Sequence, residues 1–240
     1  MTMVDRRRPQ RIDRLLASLG YCSRRSAVEF LGEHRVTIGG ERIRDGSIKA
    51  SPDDIAVDGT LLDNPDGLLI LLNKPAGYVC SHDASEGRLV YELIEPQWMR
   101  RNPAPSTVGR LDKETTGAIL ITDITGINHA FTSPRRAIDK VYRVVVDRPL
   151  SAEVASQFAS GTMVLSGETR PCRAATLDII DDFRAEITLH EGKYHQVRRM
   201  FGYCGYRVEK LHRLRFGPYS VDDIPEGKYV LLPPSGIDTA

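Results

Sequence analysis

Residues 108–123, VGRLDKETTGAILITD, crowd four charged side chains (Arg110, Asp112, Lys113 and Glu114) into a polar, turn-forming run. A mainly apolar strand follows at 118–122, bounded by Gly117 and Asp123. A carboxylate fixed in front of a buried strand has the chemistry of a nucleophile or a general base, and needs no metal for either. Aspartate is equally an ordinary turn residue that hydrogen-bonds its own backbone two residues on. Spacing alone leaves both roles open for Asp112. Glu114 makes no carboxylate pair with it, because nothing in the sequence fixes where that side chain points.

Two more residues draw notice from their periodicity. In the strand expected at 141–146, Tyr142 shares a face with Val144 and Val146, which fits a core tyrosine with its hydroxyl at the rim. Val197, Met200, Phe201 and Cys204 form an apolar stripe on a helix expected at about 195–204. Arg198 lies on the shoulder of that stripe, about 110° from its centre by the helical step, and Arg199 lies nearer the opposite side. A shoulder guanidinium is placed either to reach a buried carboxylate or to stay solvated.

At the other end of the chain, Ile12, Leu15, Leu16 and Leu19 recur at helical spacing, and Gly20 is suited to close that helix. Ser23 is suited to cap a second helix with Arg24 and Arg25 in its first turn. Cations there oppose the helix dipole, an arrangement that makes sense if an anion such as phosphate binds. A hairpin through Gly39-Gly40 and a strand at 55–57 should follow.

The bulk properties narrow the classes. The chain has 240 residues, 41% hydrophobic and 27% charged, enough for a real core. The longest aliphatic run, 68–72, falls far short of the roughly 20 residues of a membrane helix, and the arginines of 1–10 precede no apolar segment. No membrane association and a cytoplasmic location are expected. Cys22, Cys80, Cys172 and Cys204 are scattered without a CxxC pair, so they imply no metal site and fit reduced thiols. Net charge is only +1, yet residues 1–50 carry eleven Arg/Lys against six Asp/Glu, 51–73 carry five Asp and no base, and 184–215 carry eight Arg/Lys against three Glu. Basic ends around an acidic joint suggest two surfaces for a polyanion.

Two resemblances gather these features. RIDRLLASLGYCSRRSAVEFLGEHRVTIGGERI resembles an S4 domain, a small RNA-binding module. The likeness puts Arg11, Arg14, Arg24, Arg25 and Arg35 on its RNA surface. GRLDKETTGAILITD, with LLNKPAGYVCS (71–81), DKVYRV (139–144) and LHEGKYHQVRRMF (189–201) in order around it, resembles the pseudouridine synthases of the RsuA/RluA superfamily. With the S4 module in front, the likeness covers about residues 10–235 and is nearest the RsuA branch.

The resemblance implies site-specific isomerisation of a uridine to pseudouridine in 16S ribosomal RNA, at the position numbered 516, with no cofactor and no metal. It makes Asp112 the catalytic nucleophile, Tyr142 the residue stacking on the base, and Arg198 the cation beside the carboxylate. Arg110 is implied to fill the RNA stack when the uridine turns out. Lys193, His195, Arg199 and Arg213 are expected as phosphate contacts. The expected partner is 16S rRNA in a partly assembled small subunit, and the expected state a monomer. The same chemistry on 23S rRNA, or a silent fold serving as an RNA-binding assembly protein, are the alternatives. Two departures from the family pattern, the longer turn DITG (123–126) and lysine at 193, bear on loops and substrate contacts.

The expected architecture is α+β. A flexible basic tail at 1–9, an S4 RNA-binding domain at 10–62 and a linker at 63–67 precede a pseudouridine synthase domain at 68–235 with a largely antiparallel mixed sheet. Its strands are expected at 68–72, 118–122, 141–146, 174–180, 185–189 and 228–232, with helices at 151–160 and about 195–204.

Overall fold

The computed structural model describes residues 7–234. The basic tail expected at 1–9 falls largely outside that range, as does residue 235. The described end of the tail is held, since Arg7 pairs with Asp53 at 2.8 Å and with Asp66 at 2.7 Å.

The N-terminal unit has its own small core of Ile12, Leu15, Leu16, Leu31, Val36 and Ile55. Helix α1 (Ile12–Ser18) ends where Gly20 turns left-handed, as its sequence suggests. Helix α2 (Ala27–Glu33) starts later than expected. The Ser23 hydroxyl accepts from the Ser26 amide at 3.1 Å and closes a turn that carries Arg24 and Arg25 before the helix. Those arginines are therefore exposed turn residues and do not oppose a helix dipole. Four short strands, in the order Glu41–Arg42, Val36–Ile38, Ile55–Val57, Thr60–Leu61, complete the unit.

The larger unit is built on one mixed sheet, whose strands are numbered here in chain order: β1 (Leu69–Lys74), β2 (Ser106–Thr107), β3 (Thr116–Thr122), β4 (Lys140–Val146), β5 (Thr176–Ile179), β6 (Arg184–Leu189), β7 (Val208–Phe216), β8 (Tyr219–Ser220) and β9 (Tyr229–Leu231). The spatial order is β5-β6-β4-β7-β3-β1-β9, with β2 paired to β3 and β8 to β7. Only β3 and β7 run parallel; every other pairing is antiparallel. The fold is α+β with a largely antiparallel sheet, as expected.

Strands β1 and β3 are apolar on both faces because both faces are covered. One face packs on α4 (Ala152–Ala159) and α5 (Gln196–Tyr203) through Phe158, Phe201, Val197 and Met200. The other packs on α3 (Thr125–Thr132) through Ile127, Ala130 and Phe131. DITG therefore leads into a helix rather than forming a longer turn. Among the described residues no helix is long and apolar enough to cross a membrane.

Gly117 shows why a glycine opens β3. Its φ is +104°, and a Cβ there would lie 2.2 Å from the Arg213 carbonyl oxygen and 2.7 Å from the Arg213 nitrogen. Only a residue without a side chain lets the parallel strands β3 and β7 meet at that point.

The two units are joined by polar contacts around residues 97–102. The Arg100 Nε donates to the Gly20 carbonyl at 3.1 Å and the Asn102 amide to the Ser18 carbonyl at 3.1 Å. Trp98 donates to Asp63 at 3.0 Å. Arg101, its side chain 1% exposed, pairs with buried Asp123 at 2.7 Å and donates to the Asn64 carbonyl at 3.1 Å. The stretch expected as a linker is thus pinned to the end of β3.

Candidate active site

The turn between β2 and β3 carries Asp112 into a cleft of about 850 Å³, within the size range of small-molecule sites. The Thr115 amide donates to the Asp112 backbone carbonyl at 3.1 Å, so the turn closes without using the side chain. Among the described residues the carboxylate accepts no backbone bond. The nearest ionisable side chain is His195, with Nε2 3.2 Å from Oδ1, both side chains being more than one-third exposed. A carboxylate that its own turn leaves unused is free for a substrate.

Lys74 explains how the turn stays in place. The last residue of β1, it is wholly buried. Its Nζ donates to the carbonyls of Pro75, Lys113 and Thr115 at 2.9, 3.1 and 2.9 Å. Three acceptors match the three hydrogens of an ammonium and favour its charged form, while burial pulls the group below its ordinary value. Two of those carbonyls, at Lys113 and Thr115, follow Asp112 closely in sequence, so the lysine clamps the turn that carries Asp112. The Leu111 amide adds a contact to buried Cys80 Sγ at 3.5 Å, and burial pushes that thiol up. Sequence reading passed over Lys74, because a lysine ending an apolar run normally marks the surface.

Tyr142 lines the same cleft and is 9% exposed. Its face is packed with Val144 in the core while the ring borders the cleft, so the core and pocket-wall readings hold together. The register of β4 against β7 slips here: Tyr142 sits opposite Arg213 but Val141 opposite Arg215, leaving Leu214 as an extra residue. Such bulges bend a strand and re-aim its side chains.

Several expected contacts lie elsewhere. Arg198 makes no ion pair with Asp112 among the described residues; its Nη1 donates to the Val208 carbonyl at 2.8 Å, at the start of β7. The position beside the carboxylate belongs to His195, the residue preceding α5, which holds a left-handed φ of 47°. Periodicity placed Arg198 around the helix correctly but could not say which end of the helix meets Asp112.

Lys193 and Arg199 are not free cations. Both reach Glu168, at 3.4 and 3.1 Å. Lys193 also donates to the Arg170 carbonyl, and Arg199 to the carbonyls of Tyr194 and Ser166. Together they fasten the 193–199 segment to the 166–170 loop. Arg213, expected as a phosphate contact, is 2% exposed and lines the cleft.

Arg110 does stand at the cleft, 70% exposed and in loose contact with Glu86 at 3.7 Å. Arg11, Arg14, Arg24, Arg25 and Arg35 are all exposed on the N-terminal unit, with Arg11 paired to Asp13 at 2.6 Å.

Comparison with known proteins identifies the family. Residues 68–203 match the model of the RNA pseudouridylate synthase family, and residues 10–55 that of the S4 domain. The chain is 41% identical over 223 residues to the ribosomal small subunit pseudouridine synthase A of Yersinia pestis, covering 91% of this chain and 93% of that one. It is 38% identical to the protein of that name from Escherichia coli K12, covering 91% and 94%. A crystal structure of a pseudouridylate synthase superposes with a TM-score of 0.65 at 33% identity, covering 93% and 96%. The chain with its carboxylate free in a tyrosine-walled cleft therefore belongs to the RNA pseudouridylate synthase family, as an isomerase that carries an S4 domain ahead of its catalytic domain.

Proposed function

We propose that this enzyme converts one uridine of 16S ribosomal RNA, the position numbered 516, to pseudouridine, with Asp112 as nucleophile. The observation carrying the reading is the Asp112 carboxylate, left unused by its own turn and facing a cleft walled by Tyr142. The names of the similar small-subunit enzymes support the RNA class. The reaction cuts the C1′–N1 bond, turns the uracil and joins C1′ to C5. A carboxylate suits the task because it can attack C1′ and later leave it. The uracil stacks against Tyr142 once the nucleotide is turned out, a step that costs a few kcal/mol and is cheapest in unpaired RNA. Arg110, at the mouth, fills the vacated stack. The S4 arginines grip flanking phosphates. The enzyme works as a cytoplasmic monomer on a partly assembled small subunit.

Tritium release from C5-labelled uridine tests this, using 16S and 23S transcripts and partly assembled subunits. Release from 16S RNA or its particles is expected. Release from 23S RNA alone moves the enzyme to a large-subunit site, and release from none removes the proposed activity. Arg24→Ala combined with Arg25→Ala should weaken RNA binding and shallow its salt dependence by about one to two units of log–log slope. Affinity unchanged across a salt series would take the phosphate role away from that turn.

A further inference from the structure

Two cations in the cleft have no part in the function proposed above. Lys140 opens β4, Arg213 lies on β7, and both line the cleft with Asp112 and Tyr142. The Arg213 Nε donates to the Ala118 carbonyl at 2.6 Å. Its Nη2 is buried and has no hydrogen-bond partner among the described residues, which is costly for a guanidinium. The Arg213 guanidinium carbon lies 4.6 Å from the Phe216 ring centroid and 6.0 Å from that of Tyr142.

Lys140 approaches the same Phe216 ring, its Nζ 5.4 Å from the centroid. It donates to the Ile138 carbonyl at 2.8 Å, and its other hydrogens meet no acceptor among the described residues. The bulge at Leu214 is what brings this group together, because it sets Lys140 opposite Phe216 and Tyr142 opposite Arg213.

The charges around Lys140 come from three directions. Arg213 faces it from β7, Asp139 precedes it in the chain, and Glu191 lies in the turn after β6. His190 of that turn holds Asp139 at 2.7 Å. Burial, with Arg213 pulling the same way, lowers Lys140 to about 8 against the opposing carboxylates. Two like charges beside one aromatic ring repel each other, and a negative charge placed between them relieves the repulsion.

We propose that Lys140 and Arg213 hold the carbonyl edge of the target uracil and stabilise the negative charge it bears while detached from the ribose. This rests on the uridine-isomerising reading of the cleft. When the C1′–N1 bond breaks, its electron pair leaves with the ring, giving a uracil monoanion with charge on its carbonyl oxygens, while an Asp112 oxygen bonds to C1′. After the base turns, a ring pair forms the C1′–C5 bond and the Asp112–C1′ pair returns to the carboxylate. The C5 proton passes to water and N1 takes one up, so composition is unchanged. The base, rather than a phosphate, is the better fit. Arg213 lies deep on the sheet beside the ring proposed to stack the uracil, whereas exposed Arg110 stands at the mouth where the RNA backbone runs.

The test uses the whole enzyme and C5-tritiated 16S RNA, with RNA affinity measured separately across salt. Lys140→Met should lower kcat by roughly 10²–10³-fold, the usual cost of removing one charge-stabilising donor, with affinity and its salt slope unchanged. In the wild type, kcat/KM should fall as pH rises through about 8, because the protonated lysine is the active form. Lys140→Arg should keep its rate above that pH, since a guanidinium stays charged. Arg213→Lys should lower kcat in the same direction; the Lys140 variants carry the test if that buried substitution prevents folding. Weaker binding with a shallower salt slope and normal kcat for Lys140→Met would assign the lysine to a phosphate and overturn the proposal. Wild-type kcat and pH profile in that variant would overturn it equally. Failure of the wild type to release tritium is a separate result, and it removes the parent reading along with this one.

Discussion

Asp112→Asn is expected to stop tritium release while leaving the protein folded and able to bind RNA. The amide occupies the same space but cannot attack C1′ and leave again, and loss of a nucleophile of this kind costs at least roughly 10⁴-fold in rate. Folding should be indifferent because the side chain supports no backbone group of its turn; the Thr115 amide goes to the Asp112 carbonyl instead. The contact to His195 joins two partly exposed groups and contributes at most about 1 kcal/mol. The informative measurement is therefore a pair: single-turnover tritium release, and RNA affinity with a thermal melt on the same preparation. A variant that melts and binds like the parent and still turns over would remove Asp112 from the chemistry.

Arg101→Met should cause the largest loss of stability. The change leaves Asp123, 3% exposed at its side chain, without its counter-charge. It also removes the donor to the Asn64 carbonyl and the 3.7 Å contact to Asp63. Breaking a buried ion pair from one side costs about 3–5 kcal/mol, much of it the penalty of the stranded charge. For a chain of this size that corresponds to a fall in Tm on the order of 10 °C. Adding Asp123→Leu to Arg101→Met should recover part of the loss, because neither charge is then buried alone. Equal melting of the single variant and the parent would show that the node contributes nothing, and a double variant worse than the sum would exclude the stranded-charge explanation.

Much of this molecule was legible because its strands declare themselves. Runs such as 68–72 and 118–122 are apolar on both faces and bounded by turn formers, and both are strands in the sheet. Strand β7 was missed because VEKLHRLRF scatters three cations, a histidine and a glutamate through nine residues, and the alternation of a buried strand is hidden when a buried arginine takes a core position. Helix α3 was missed because Thr125 and Gly126 open it, a poor helical start that reads as a turn.

Asp112 and Tyr142, singled out by the family pattern, both line the cleft, while the partners around them depend on axial positions no periodicity supplies. His195 meets the carboxylate from the residue before α5, and Arg198, three residues on, reaches the start of β7 instead. Lys193, Arg199 and Arg213 look like surface cations in a sequence because partners such as Glu168 and the Ala118 carbonyl are brought to them only by the tertiary fold.

The clamp beneath Asp112 bears on how this cleft can move. Loops that carry catalytic groups commonly drift on nanosecond to microsecond timescales. Here the turn is gripped at the Lys113 and Thr115 carbonyls by a buried ammonium that also holds the Pro75 carbonyl, and it is butted, at Gly117, against the neighbouring backbone. It resembles the anvil of a vice, with its travel removed. Across the cleft, His195 and the exposed Tyr194 stack on each other in a segment that is itself moored through Glu168. Both sides of the cleft are therefore tied down before a nucleotide arrives.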